Sequence, residues 1–386
     1  MNGAEQASGR GKTIMIPKTA TALACGLLVV GMLAAGTAHG YRWKRAGLDN
    51  ERLHWTNDVS VPFRVQDDSF PRGSFTRIAL ELAVERWNTA ATPFRYELRF
   101  GERNVGRKNG QNEIWFEGDR ERSVTKTWYR PVKAQFREAD IIFNADDPFT
   151  PLPFVGTLWA YGGDERPFQT TALHELGHAQ GLAHTRDDYS VMGTDWTHIH
   201  ANGGLSYAYP GVDAMQGSFD TYSGRMPAGP TRLDLGVAHW RRTGTDGGYS
   251  VHQRTRMFYS NGLELPDIGG AEPRYIVQPG QRVRIELRFE NMSSRRADSI
   301  RIEWYVSADK KIETSDTVIG ASSISLAPRS DLLADVPVTL PASLAHNTDY
   351  WVGAIIDPDD RFGPEVTEQN NATYIGIRAA VPEGLY

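Results

Sequence analysis

Eleven consecutive residues, His174-Glu175-Leu176-Gly177-His178-Ala179-Gln180-Gly181-Leu182-Ala183-His184, constrain this chain more than any other stretch. On a helix, positions i and i+4 lie on one face, so the imidazoles of His174 and His178 can reach one metal ion. Gly181 is the expected helix breaker, because glycine enters a left-handed conformation without a side-chain penalty. The turn it makes returns the chain so that His184 can meet the same ion. Three neutral histidines with an open fourth position are the ligand set of hydrolytic zinc. Glu175, beside the first ligand, is placed to take a proton from water activated there. The residues read as zinc ligands are therefore His174, His178 and His184, and the residue read as the catalytic base is Glu175.

The remaining composition narrows the class. The formal net charge is −5 with both signs mixed along the chain, so no basic footprint for nucleic acid is present. Cys25 is the only cysteine. It lies in an apolar run from Ala20 to Ala35 that follows Arg10, Lys12 and Lys18, with small residues at Ala38 and Gly40 before Tyr41. That pattern predicts an export signal over 1–40, or a membrane anchor if residues 20–36 are retained. A chain beginning at Tyr41 would hold no disulfide, no thiolate ligand and no cysteine nucleophile. Export without disulfides fits a bacterial protein, placed in the periplasm, at the cell surface or outside the cell.

Past Tyr41, Val59 to Val65 reads as a strand. Ser74 reads as the N-cap of a helix running through Trp87, with Ile78, Leu82 and Trp87 as its apolar face. Glu113 to Phe116 and Ala139 to Phe143 read as further strands, and Pro167 suits the first turn of the helix that carries the histidines. Residues 243–270 turn to Gly, Thr, Asp and Arg and read as a linker. Beyond it come short alternating runs at Arg282 to Phe289, Ser299 to Val306, Leu333 to Leu340, Tyr350 to Ile356 and Ala372 to Ile377, the spacing of a β-sandwich.

The eleven-residue pattern resembles the metzincin zinc peptidases, in which a downstream methionine turn accompanies the ligands. Ser190-Val191-Met192-Gly193-Thr194 stands where that turn falls, and the resemblance implies that Met192 forms a floor beneath the metal. Within that group the chain looks like the matrixin branch over Trp55 to Tyr222. Trp87-Asn88 closes the first helix as in that family. Ala139-Asp140-Ile141-Ile142-Phe143 is similar to its A-D-I strand, and Asp213, Gly217 and Tyr222 to the start of its last helix. Thr194 departs from the proline usual there and argues against the tyrosine ligand that other metzincins place at that position. The segment after the linker resembles the bacterial cell-adhesion-related (CARDB) domain of immunoglobulin-like fold. Asn291, Tyr305 to Asp309, Leu340-Pro341, and Asp357, Glu365 and Glu368 to Asn371 carry that likeness.

The expected fold is an α+β metzincin-type domain, a twisted mixed sheet with an active-site helix, followed by an all-β immunoglobulin-like sandwich. The expected domains are 1–40, 41–242, the linker 243–270, and the sandwich 271–380. The expected function is that of an exported zinc endopeptidase acting on protein or peptide substrates, with Tyr161 and Trp159 on an edge strand that an extended substrate pairs with. The alternative is a surface-binding protein whose metzincin scaffold is silent; in either case the sandwich is the candidate for a cell-surface partner. His198 and His200 read as solvated loop residues, with an accessory metal or pocket-rim role as the alternative. Structural calcium at Asp146-Asp147, Asp187-Asp188 or the acidic group Asp357, Asp359, Asp360, Glu365 and Glu368 stands beside a reading of these as solvated turns.

Overall fold

A computed structural model describes residues 40–47, 49–56, 60–150, 154–194, 196–225, 233–270 and 272–380. The expected export segment lies outside them except for Gly40. Strand β1 (Val61–Gln66) buries Val61, Phe63 and Val65 and exposes Arg64, the period-two pattern of a strand with one face on a core. Helix α1 (Phe75–Thr89) starts at Ser74, whose hydroxyl accepts the Arg77 N–H at 3.2 Å. The helix crosses over to β2 (Tyr96–Glu102), which lies parallel to β1, as a parallel pair requires. With β3 (Glu113–Glu117), β4 (Val124–Arg130) and β5 (Gln135–Asn144) they form one mixed sheet in the order β2-β1-β3-β5-β4, in which only the edge strand β4 is antiparallel to its neighbour.

The inward face of α1 differs from the expected one. Ala79, Leu80, Ala83, Val84 and Trp87 are buried, whereas Ile78 and Leu82 are exposed. Trp87 sets the rotation, because its indole N–H donates to the Leu173 carbonyl at 3.1 Å. At 3.6 residues per turn, Ile78 and Leu82 then lie about 180° and about 140° round the helix from it.

Helix α2 (Phe168–Ala179) is buried almost throughout, with Phe168 packed against Phe70, Phe116 and Phe143 of the sheet side. After a two-stranded ribbon, β6 (Ile199–Asn202) and β7 (Leu205–Ala208), helix α3 (Val212–Tyr222) returns to brace α2. The Tyr222 hydroxyl donates to the Gln180 carbonyl at 2.7 Å.

The second module starts earlier than expected, and the expected linker is folded. β8 (Leu235–Ala238) already belongs to the C-terminal sheets. A hairpin of β9 (Trp240–Asp246) and β10 (Tyr249–Arg254) follows, and then β11 (Met257–Tyr259). Both β8 and β11 pair with one edge of β13 (Arg282–Asn291), and β16 (Ser330–Thr339) pairs with the other. The facing sheet runs β12-β18-β17-β14-β15, formed from β12 (Arg274–Val277), β14 (Ala297–Ser307), β15 (Thr317–Leu326), β17 (Thr348–Ile356) and β18 (Ala372–Ala379). The two sheets share one core that includes Ile285, Leu287, Phe289, Trp304, Val352 and Ile375.

Strand β13 is buried on both faces. Val283, Ile285, Leu287 and Phe289 point into that core, while Glu286, Arg288 and Glu290 are buried on the opposite face. The His200 imidazole bridges the modules, with Nδ1 3.0 Å from the Val237 carbonyl and Nε2 3.0 Å from Glu290 Oε2. Asn202 pairs with the Ile312 backbone in both directions, at 2.9 and 2.8 Å. His198 and His200 are therefore fully buried, not solvated loop residues. The sequence conceals this because the covering strand lies some ninety positions downstream.

Burial pushes His198 down to about 4, with the Glu290 carboxylate pulling the other way. As pH falls, the unfolded chain takes up this proton first, near its ordinary value of about 6.5. The contribution is complete above that value and lost as pH drops toward 4. His198→Asn is expected to remove on the order of 2 kcal/mol of the stability lost between about pH 7 and about pH 5. Thermal unfolding of both proteins at the two pH values checks this; an unchanged pH dependence would contradict it.

Candidate metal centre

Helical spacing brings the first two ligands together, with the rings of His174 and His178 4.7 Å apart between centroids. The helix stops at Gln180, and Gly181 follows at φ +104°. A Cβ there would stand 2.6 Å from the Leu53 carbonyl oxygen, so both conformation and space demand glycine. Beyond the turn, Leu182 and Ala183 pair antiparallel with Trp43 and Arg42, and this short ladder delivers His184. His178 Nε2 and His184 Nε2 then lie 3.0 Å apart, and one nitrogen from each of the three rings falls within 4.8 Å of the others.

The donor set fits zinc. Two nitrogens bound at about 2.0–2.1 Å in tetrahedral geometry stand roughly 3.4 Å apart, against 3.0 Å for the His178 and His184 pair and no more than 4.8 Å across the triad. Nδ1 of His174 lies 2.7 Å from the Val191 carbonyl, and Nδ1 of His178 lies 2.8 Å from that of Leu182. Carbonyls there fix the tautomer that leaves Nε2 as the ligand atom. Burial, joined by the charges of Lys44 and the neighbouring imidazoles, holds His178 well below the ordinary histidine range, which keeps it neutral as a ligand must be. Among the described residues, no other group of three or more His, Cys, Asp or Glu side chains gathers in this way. Among the acidic residues near 357–368, Asp357 accepts the Arg361 and Phe362 N–H groups, and Glu365 those of Leu235 and the Asn371 amide.

Glu175 is buried beside the triad. Thr125, on the edge strand β4, puts its hydroxyl 2.7 Å from Glu175 Oε2 and 2.9 Å from the Glu175 carbonyl, so the strand holds the carboxylate in place. Met192 is buried against the same helix, and a Cβ on Gly177 would collide with its sulfur. Its carbonyl accepts the Thr185 N–H at 3.1 Å, tying the methionine turn to the residue after the third ligand. Asp213 accepts the Tyr41 N–H at 2.8 Å and the Gly217 carbonyl accepts the Trp43 indole N–H at 3.1 Å, so α3 secures the strand that pairs with the His184 segment.

One expectation changes. Trp159 and Tyr161 form a 3-10 turn rather than an edge strand, and the Tyr161 hydroxyl is buried 2.7 Å from His239 Nε2. The edge strand next to α2 is β4. Three neighbours of the site were not singled out from the sequence. Thr125 is one. Lys44 is another; burial pushes its ammonium down to about 8 against the opposing pull of Glu175. The third is Tyr249, whose ring centroid lies 3.9 Å from that of His184. None carries a local pattern, because each reaches the site from a distant part of the chain.

A histidine triad, two of its members and an adjoining buried carboxylate carried by one helix, with a methionine turn packed against that helix, is the arrangement of a metallopeptidase centre. Residues 54–206 match the family model of matrixin, Peptidase M10, which bears out the resemblance read from the sequence. Matrix metalloproteinase-C of Caenorhabditis elegans is 23% identical over 222 residues, covering 53% of this chain and 33% of the relative, so the chain spans about a third of that protein's length. Both support a metalloprotease. Solved structures that match include the CARDB domain of a Pyrococcus furiosus protein. Its crystal structure, in complex with di-metal ions, is 13% identical and covers 40% of this chain and 98% of that one, at a TM-score of 0.25. Its solution structure is 14% identical and covers 40% and 100%, at the same score.

Gly181→Ala is expected to cost about 1–3 kcal/mol in stability through backbone strain at this turn, and to weaken metal binding with it. Thermal unfolding with and without zinc measures both. A variant as stable as wild type with full zinc content would contradict the role given to the turn.

Proposed function

We propose that the chain is an exported zinc-dependent endopeptidase of matrixin type, with an immunoglobulin-like, CARDB-like module behind the catalytic domain. The observation that carries this reading is the convergence of His174, His178 and His184 beside buried Glu175. A zinc ion held there supplies Lewis acidity, lowering the pKa of water toward 7 and polarising a carbonyl. Glu175 accepts the proton of the attacking water and returns it to the departing amine. Thr125 keeps the carboxylate aimed during both transfers. The edge strand β4 offers its outer backbone groups to an extended peptide, as in strand addition. Export rests on the apolar run after Arg10, Lys12 and Lys18, and a surface partner for the sandwich on its likeness to adhesion-related domains.

With an unfolded protein such as casein, wild type is expected to cleave and to stop when a chelator removes zinc. Glu175→Ala is expected to keep its zinc and lose about 10²–10⁴ in kcat, with Thr125→Val intermediate. Cleavage rates measured beside zinc content check this. Zinc-loaded wild type that cleaves no unfolded substrate, or Glu175→Ala as active as wild type, would contradict it.

A further inference from the structure

We infer that the hairpin β9–β10 is part of the metal centre, with Gly248 and Tyr249 positioning the third ligand, His184. The inference rests on the zinc reading above and goes beyond it, since the hairpin lies outside the matched span 54–206. His174 and His178 are held by the rigidity of α2. His184 follows the turn on an extended segment, so its ring is oriented by neighbouring segments and not by a helix.

The hairpin is built to give that support. The Tyr249 ring lies over His184 at 3.9 Å between centroids with 32° between planes, and nearly parallel to His174 at 5.9 Å and 27°. Gly248 brings its backbone to the edge of the same imidazole, so close that a Cβ would stand 3.1 Å from His184 Nδ1. The next residue fastens the tip to both sides of the ligand loop. The Ser250 N–H donates to the Thr185 carbonyl at 2.7 Å, and the Ser250 carbonyl accepts the Thr194 N–H at 3.1 Å. The Thr194 hydroxyl donates to that carbonyl as well. His252 Nδ1 adds a contact with the Thr197 hydroxyl at 2.8 Å, and Arg242 donates from Nε to the Arg186 carbonyl at 3.0 Å.

At its root the hairpin is fixed to the second module. Arg288 on β13 donates from Nε to the Trp240 carbonyl at 3.3 Å, and Arg241 Nε lies 3.4 Å from Glu286 Oε1. Groups around a metal ligand that fix its ring orientation are worth about 10–100-fold in metal affinity. The C-terminal module thus reaches the metal through its own hairpin.

The test follows zinc loss from the full-length chain to a colorimetric chelator, without any substrate. Tyr249→Ala is expected to lose zinc about 10-fold faster than wild type or more, and Tyr249→Phe within about 2-fold of it, because the ring and not the hydroxyl does the positioning. Removing the ring also removes packing, so Gly248→Ala is the second variant: it pushes on the His184 ring at Nδ1 and is expected to speed zinc loss while the melting temperature of the metal-free chain stays unchanged. Tyr249→Ala and Gly248→Ala that both hold zinc as wild type does would overturn the inference, as would Tyr249→Phe losing zinc as fast as Tyr249→Ala. Wild type that binds no zinc at all would instead bring down the functional reading beneath it.

Discussion

Three imidazole nitrogens must meet at one point, and much of the first module serves that requirement. Two of them come from a single helix, where spacing alone does the work. The third depends on a turn whose backbone only glycine adopts without strain, set against the Leu53 carbonyl. The His174 and His178 rings are then oriented from behind by the Val191 and Leu182 carbonyls, and burial keeps His178 neutral. Burying so many polar groups is costly unless each finds a partner. That is why the surrounding loop, the methionine turn and α3 are laced by backbone hydrogen bonds rather than packed only by apolar side chains.

The same economy explains how the two modules meet. A β-strand in a sandwich ordinarily shows one face to the core and one to water. Strand β13 instead carries Glu286, Arg288 and Glu290 on its outer face, all buried; Glu290 meets His200 of the first module, while Glu286 and Arg288 pair with Arg241 and Asp331 of the second. Glu290 shows the balance of forces. Burial alone would raise its carboxyl, yet the His200 hydrogen bond and the charges of His198 and Arg288 hold it down at about 2. Of this set, the Glu290–His200 contact is the one that crosses between the modules and that a shifted placement would break.

What could be read in advance divides along the range of the interactions. The histidine motif and Ser74 cap are local patterns, and the structure places them as expected. So are the alternations at Val283, Ile285, Leu287 and Phe289, since period two and burial go together. The rotation of α1 was misread because Ile78 and Leu82 are larger than Ala79 and Ala83, while the Trp87 indole bond to α2 decides the phase. The hairpin at 240–254 resembles a linker in composition, and its partners at Thr185, Thr194 and Thr197 lie some fifty to seventy positions upstream. His198 and His200 look like solvated loop residues until β13 covers them. Thr125 sits among polar strand residues and acquires meaning only when β4 is laid beside α2.

The most direct test of the account is anomalous diffraction at the zinc edge from crystals of the full-length chain. The account predicts one strong peak about 2.0–2.1 Å from the Nε2 atoms of His174, His178 and His184, with Glu175 beside it and not bound to it. Crystals grown with zinc that show no peak there, or a peak only elsewhere in the molecule, would contradict it.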